Sequence, residues 1–362
     1  MKKEVSFYLG ANTCSGFYSL YDWMYEAESS EEIYLIKGGP GTGKSGFMKR
    51  VAESLEKEGA EVTYYKCSSD PSSLDGIYIE DLGIGIADAT KPHALEPRCP
   101  GGLENYLNFS DYWDSEKLKK SKKEILGLSE LISGRFESLY RGLRACKCLW
   151  DERYNLALKG ISPQAMELRG QRMAVREIVG EGKGMKLKKR FLTSFSKDGI
   201  VSEFETVAAL AERVYVLEDN FGFSQFMLSP ILKKALKQNF EVIACYCTIS
   251  GDRLEHIIIP ELSLAFVSSN RIHPYPFEAY RRKRIDHMID ADLLRRNRVR
   301  IKFLNRTISL ILDECFSHLA EEKNLHDRLE EYYYTVMDFD RLDETCKNLI
   351  KRLVKRYRAL KK

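Results

Sequence analysis

Two kinds of apolar pattern alternate along the chain: short unbroken runs and stripes at helical spacing. Residues 33–36, Ile-Tyr-Leu-Ile, predict a buried strand. Phe47, Met48, Val51, Ala52 and Leu55 then recur at helical spacing up to Gly59, which is placed to end the helix. "LGIGIAD" (82–88) predicts another buried strand. The succession returns in the second half, with residues 214–217 as a strand, Leu232, Ala235 and Leu236 on a helix, and residues 242–246 as a strand. Residues 115–158 and 303–335 are rich in Leu, Glu, Lys and Arg, have few prolines and predict long helices. Residues 162–184 read as a helix running into a glycine-rich linker at 180–184. Leu349, Ile350, Leu353, Val354, Tyr357 and Leu360 give the last stretch an apolar face opposite Lys and Arg.

The recurrence is a repeat. "EVTYYKC" ends at Cys67 and "EVIACYC" at Cys247, 180 positions on. That offset also places Leu74 on Leu254, Asp75 on Glu255, Ile77 on Ile257, Ile79 on Ile259 and His93 on His273. With one residue inserted, "IYLIKGGPGTGKS" falls on "VYVLEDNFGFSQF". "CKCLWDERY" (146–154) resembles "EKNLHDRLE" (322–330), and "GFYSLYD" (16–22) echoes "GIVSEFE" (199–205). The chain reads as a tandem duplication. The expected fold class is α/β, with two tandem P-loop NTPase-like modules, parallel sheets flanked by helices, and a helical extension on each. The expected division is 1–160 for the first module and its arm, 161–186 for the helix and linker, and 187–362 for the second module.

In the first copy Gly38-Gly39-Pro40-Gly41-Thr42-Gly43-Lys44-Ser45, followed by Gly46, matches G-x-x-x-x-G-K-[ST] between a strand and a helix. Glycines let such a loop turn its N–H groups inward as an anion nest, and the helix N-terminus adds the positive end of its dipole. Lys44 is then expected to reach the β- and γ-phosphates of ATP, and the Ser45 hydroxyl to ligate Mg²⁺. Asp88, at the end of the 82–88 strand, is the candidate second holder of Mg²⁺; its repeat position is Ser268. Asp70, in "CSSDPSSLDG" (67–76), is placed to orient the attacking water or accept a proton, although Asp70-Pro71 equally starts a turn. Asp75 offers the same two readings. His93 and His273 read as structural.

The second copy has lost the chemistry. Glu218 stands for Lys37, Asp219 for Gly38, Ser224 for Gly43, Gln225 for Lys44 and Phe226 for Ser45. Two carboxylates repel a triphosphate, and Phe221 and Phe226 are expected to fill its volume. The expectation is one ATP per chain.

On "GANTCSGFYSLYD" (10–22), "IKGGPGTGKS" (36–45), "CSSDPSSLDG" (67–76), "IADATKPH" (86–93) and "HDRLEEYYYTVMDF" (326–339), the chain resembles a family of tandem P-loop ATP-binding proteins found mostly in clostridia and related anaerobic bacteria. The resemblance implies nucleotide binding and hydrolysis and names no substrate. Members often carry a P-loop in both copies, so the altered second loop is a departure.

Composition narrows the setting. A chain of 362 residues, 44% hydrophobic and 30% charged, is expected to be a soluble globular protein, and no run approaches the ~20 apolar residues of a membrane span. "MKKEVSFYLGANTCSGF" has no apolar signal core, and nine cysteines lack disulfide or zinc spacing, so a cytoplasmic protein with reduced thiols is expected. The net charge is +4, but cations cluster at 117–123, 183–190, 280–284 and 351–362. These are read as solvated helix faces rather than a nucleic-acid surface. A protein partner is expected on the helical arms. The leading function is an ATPase. The alternatives are a small-molecule or nucleotide kinase, with Arg135, Arg141 and Arg144 as a lid, and a nucleotide-gated nucleic-acid-binding protein. The absence of N-K-x-D favours ATP.

Overall fold

The apolar runs build two mixed β-sheets flanked by helices, each laid out on the same plan. The computed structural model describes residues 4–26, 28–93 and 95–362; Lys2 and Lys3 of the N-terminal segment lie outside them. In the first copy β1 (Glu32–Lys37) leads through the 38–45 loop into α1 (Lys44–Glu56). Four strands follow: β2 (Val62–Lys66), β3 (Leu74–Ile79), β4 (Ile84–Asp88) and β5 (Glu104–Asn108). They are ordered β2-β3-β4-β1-β5. β1 runs parallel to β4 and β5, but β3 is antiparallel to both its neighbours. This corrects the expectation of a parallel sheet. The connections on either side of β3 are far shorter than the dozen or so residues a parallel crossover needs.

After the long helix α2 (Lys122–Leu158) and the shorter α3 (Pro163–Glu177), the plan repeats. The second sheet is built from β6 (Lys186–Arg190), β7 (Arg213–Glu218), β8 (Glu241–Tyr246), β9 (Leu254–Ile259), β10 (Leu264–Ser269) and β11 (Arg281–Arg284). α4 (Ser224–Lys237) follows β7. The order is β11-β7-β10-β9-β8-β6, and here β9, the counterpart of β3, is antiparallel to both its neighbours. Backbone conformations repeat even where glycine is gone. Gly59 (φ 96°) matches Asn239 (φ 59°), and Gly83 (φ 62°) matches Ser263 (φ 45°). A left-handed residue is unfavourable without glycine, so its survival marks turns that the sheet connections require. α5 (Arg298–Tyr334) has the 37-residue length of α2, and α6 (Phe339–Leu360) closes the chain.

The chain divides into two compact units, each discontinuous in sequence. One joins Ser19–Ser138 to Ser317–Lys362; the other joins the segment ending at Tyr18 to Leu139–Phe316. In the first, Leu342, Cys346, Leu349, Leu353 and Tyr357 of α6 enter the core with Phe47, Val51 and Leu55 of α1. In the second, Met166, Met173 and Ala174 of α3 do the same with Met227, Leu228 and Ile231 of α4. There Gly170 is essential: a Cβ would stand 2.4 Å from the Met227 carbonyl oxygen. Each α/β core is thus covered by the tail helix of the other copy.

The cationic run at 280–284 is not a helix face. Arg281–Arg284 form the exposed edge strand β11. Among the described residues no helix is long and apolar enough to cross a membrane.

Candidate functional site

Strand register assembles the site. β1 and β4 are parallel with Ile36 opposite Asp88, so the carboxylate ending β4 arrives at the root of the 38–45 loop. Asp88 Oδ2 lies 3.5 Å from Lys44 Nζ, and Oδ1 accepts the Thr90 N–H at 2.8 Å. The Thr90 hydroxyl in turn donates to the Gly38 carbonyl at 3.0 Å. Lys44 Nζ donates to the Gly38 and Gly39 carbonyls at 3.0 and 2.7 Å, folding the lysine back over its own loop. Ser45 Oγ accepts the Leu74 N–H at 3.0 Å, which fixes it to the start of β3. Gly41 and Gly43 have φ of 68° and 84°, and Gly43 offers no side-chain cap to α1.

The last turns of α5 lie directly over this loop. A Cβ on Gly39 would sit 2.7 Å from the Tyr333 ring, and one on Gly41 2.6 Å from the Glu330 carbonyl oxygen. The same helix brings Lys323 Nζ to 3.5 Å from Asp70 Oδ2 and pairs Lys323 with Asp327. Asp70 Oδ1 accepts the Ser72 hydroxyl at 2.6 Å, so Asp70 is engaged in a turn and an ion pair together. His326 Nδ1 is 3.4 Å from Glu330 Oε1, and burial lowers its pKa. His326, Asp327 and Glu330 each bring one ligand atom within 4.8 Å of the others, although two ion pairs already engage them. Sequence reasoning missed this cover. Its signal was present in "EKNLHDRLE", where 322, 326 and 330, and 323 and 327, are spaced four apart on a helix.

Burial pushes the Glu322 carboxyl up to about 7, with Lys323 opposing and Asp327 and Asp70 reinforcing the shift. A raised carboxyl pKa makes folding favour the protonated form. Stability is therefore fully present below the unfolded value of ~4.5 and is lost as pH rises to about 7. The loss amounts to at most about 3 kcal/mol. Glu322→Gln should flatten the dependence of the melting temperature on pH between 4.5 and 7; an unchanged slope in the variant would refute the assignment.

Asp75 and His93 lie together but closed off. Tyr21 donates its hydroxyl to Asp75 Oδ2 at 2.8 Å, His93 Nε2 is 3.5 Å from Oδ1, and burial raises the Asp75 pKa. The second copy keeps the pair as Glu255 and His273 at 3.2 Å. Burial there also favours the neutral acid, but His273, His256 and Arg253 outweigh it and hold Glu255 at about 2. The two copies thus share a buried acid–histidine pair. Arg135 is bound to Glu321 at 2.9 Å, whereas Arg141 and Arg144 belong to the other unit.

In the second copy the loop closes on itself. Asp219, only 1% exposed, accepts the backbone N–H groups of Phe221, Gly222 and Ser224 at 3.1, 2.8 and 2.5 Å. The aspartate in the position of Gly38 has turned inward into the amide nest. Phe221 and Phe226 instead stack on the fully buried Phe223.

Among known proteins, the family model described as Nephrocystin 3, N-terminal, matches residues 12–77, a span containing β1, the 38–45 loop, α1 and β2. No curated protein and no solved structure matches the chain.

Proposed function

We propose that the protein is a Mg-ATP-binding P-loop ATPase with one nucleotide site per chain, at the 38–45 loop. The contrast between the copies carries this reading. In the second, the Asp219 carboxylate satisfies three loop amides from within the chain. In the first, Gly38 has no side chain to do so, Gly43 leaves α1 uncapped, and Lys44 and Asp88 stand at the loop's root. Such a nest suits an external anion. Lys44 would exchange its two carbonyl acceptors for phosphate oxygens, Ser45 and Asp88 would position Mg²⁺, and Asp70 would orient water once released from Lys323. Bound Mg-ATP supplies the phosphoryl group; the chain supplies placement and charge. Calorimetry with a non-hydrolysable ATP analogue should give a stoichiometry near one, and phosphate release should require Mg²⁺. A stoichiometry near two would sink the single-site reading.

Tyr333 and Glu330 press against Gly39 and Gly41, so a bound triphosphate must displace them. That competition couples occupancy of the loop to α5 and gives hydrolysis something to drive. Tyr333→Ala should therefore tighten nucleotide binding, by roughly three- to tenfold if the covered state holds most of the population. Weaker or unchanged affinity in the variant rules out the competition.

A nucleic-acid role has one observation in its favour. β11 brings Arg282, Lys283 and Arg284 to an open groove of about 600 Å³ shared with Arg169, Arg172 and Arg176 of α3. Anisotropy with single-stranded RNA separates the readings. The ATPase reading expects no sub-micromolar binding at about 0.15 M salt, whereas tight binding with a steep salt slope supports the alternative.

A further inference from the structure

The altered loop of the second copy does not end at a solid wall. Beside Asp219 and Phe221 lies a cavity of about 150 Å³, also lined by Arg153, Arg253, Arg271 and His273. That is room for several waters or a small ligand group. Its apolar surface includes Trp150 and Phe221, and the Arg153 guanidinium carbon is 6.0 and 5.8 Å from their ring centres.

The charges around it are unevenly used. Every carboxylate is engaged inside the fold. Asp219 holds three amides, and Asp286 accepts both the backbone N–H and the Nδ2 of Asn220, at 3.1 and 2.6 Å. Glu255 holds His273 and lies 3.8 Å from Arg253. The donors are not all engaged. Arg153 donates one N–H to Asn305 at 2.6 Å, while its buried Nε has no acceptor. His273, 7% exposed, is committed through Nε2 to Glu255. The Arg271 side chain has no ion pair among the described residues. Burial pulls the Arg153 guanidinium down to about 10, with Arg253 and Arg271 reinforcing the shift and Asp219 and Asp286 opposing it.

We infer that this cavity is a binding site for a small anion, a carboxylate or phosphate group of metabolite size, held by Arg153 and Arg271 against the Trp150 and Phe221 rings. A planar guanidinium in a half-buried, apolar-walled site recognises such groups through paired, charge-assisted hydrogen bonds. The second copy would then have replaced nucleotide with a smaller ligand rather than lost binding. The inference does not depend on ATP binding at the 38–45 loop.

The test is thermal unfolding of the full chain carrying Lys44→Ala, which weakens the first loop as a source of anion binding, while the arginine variants assign any remaining response to the cavity. Inorganic phosphate and succinate are titrated separately, with sodium chloride at matched ionic strength as reference. A saturable rise of roughly 3–5 °C at a hundredfold excess over Kd is expected with one of them, and which one identifies the ligand group. Arg153→Gln and the exposed Arg271→Gln should each weaken the response at least tenfold. The inference is overturned if neither anion gives a saturable rise, if chloride reproduces it, or if it persists in Arg271→Gln.

Discussion

Lys44→Ala is expected to lower Mg-ATP turnover by at least two to three orders of magnitude while the protein stays folded. Removing a single preorganised donor from developing negative charge costs on the order of 10²–10³ in rate, and here the donor also carries the loop's positive charge. Lys44 Nζ is the group on which the loop carbonyls of Gly38 and Gly39 and the carboxylate of Asp88 converge. The folded state loses less. Two hydrogen bonds to carbonyls on a half-buried loop contribute about 1–2 kcal/mol, and Asp88 keeps the Thr90 N–H. Phosphate release and thermal melts on the same preparation check the two halves of the expectation. Turnover within tenfold of the parent would remove the loop from the mechanism.

The 38–45 loop could be read from the sequence because its chemistry is local: glycines, lysine and serine at fixed spacing between a strand and a helix. Asp88 could be read because an apolar run ended on it, and parallel pairing with β1 then brings it to Lys44. The direction of β3 is not legible in its apolar run, which carries none; the short connections on either side of it set it antiparallel. The α6 stripe announced an apolar face but not which core it would cover. Leu342, Leu349 and Leu353 fit either copy by pattern, and only the three-dimensional arrangement commits them to α1. Likewise the four-residue spacing of Glu322, His326 and Glu330 was visible, but not that this face meets the glycines of a loop some 290 positions earlier. From the sequence, Asp219 reads as a charge that repels a triphosphate. Its carboxylate instead satisfies backbone donors, which depends on loop geometry that charge alone does not convey.

Asp219→Ala is expected to destabilise the second α/β unit by about 3–5 kcal/mol, the largest loss of stability among these variants. Three backbone N–H groups would lose their acceptor in a site where the residue is only 1% exposed, and the start of α4 would lose the negative charge facing its dipole. Asp219→Asn separates the causes. Asparagine has nearly the same volume and one remaining acceptor oxygen, so a packing origin predicts parent-like stability, while an acceptor origin predicts a loss between those of parent and alanine. Nucleotide stoichiometry should stay near one in both variants, because emptying the nest does not restore a lysine at Gln225. Urea unfolding followed by the fluorescence of Trp150, which lies beside the Asp219 loop, with Trp23 and Trp113 replaced by Phe, would report the second unit. A loss below about 1 kcal/mol in Asp219→Ala would mean that the amides find other acceptors, and that an internal carboxylate is not what closes this loop to nucleotide.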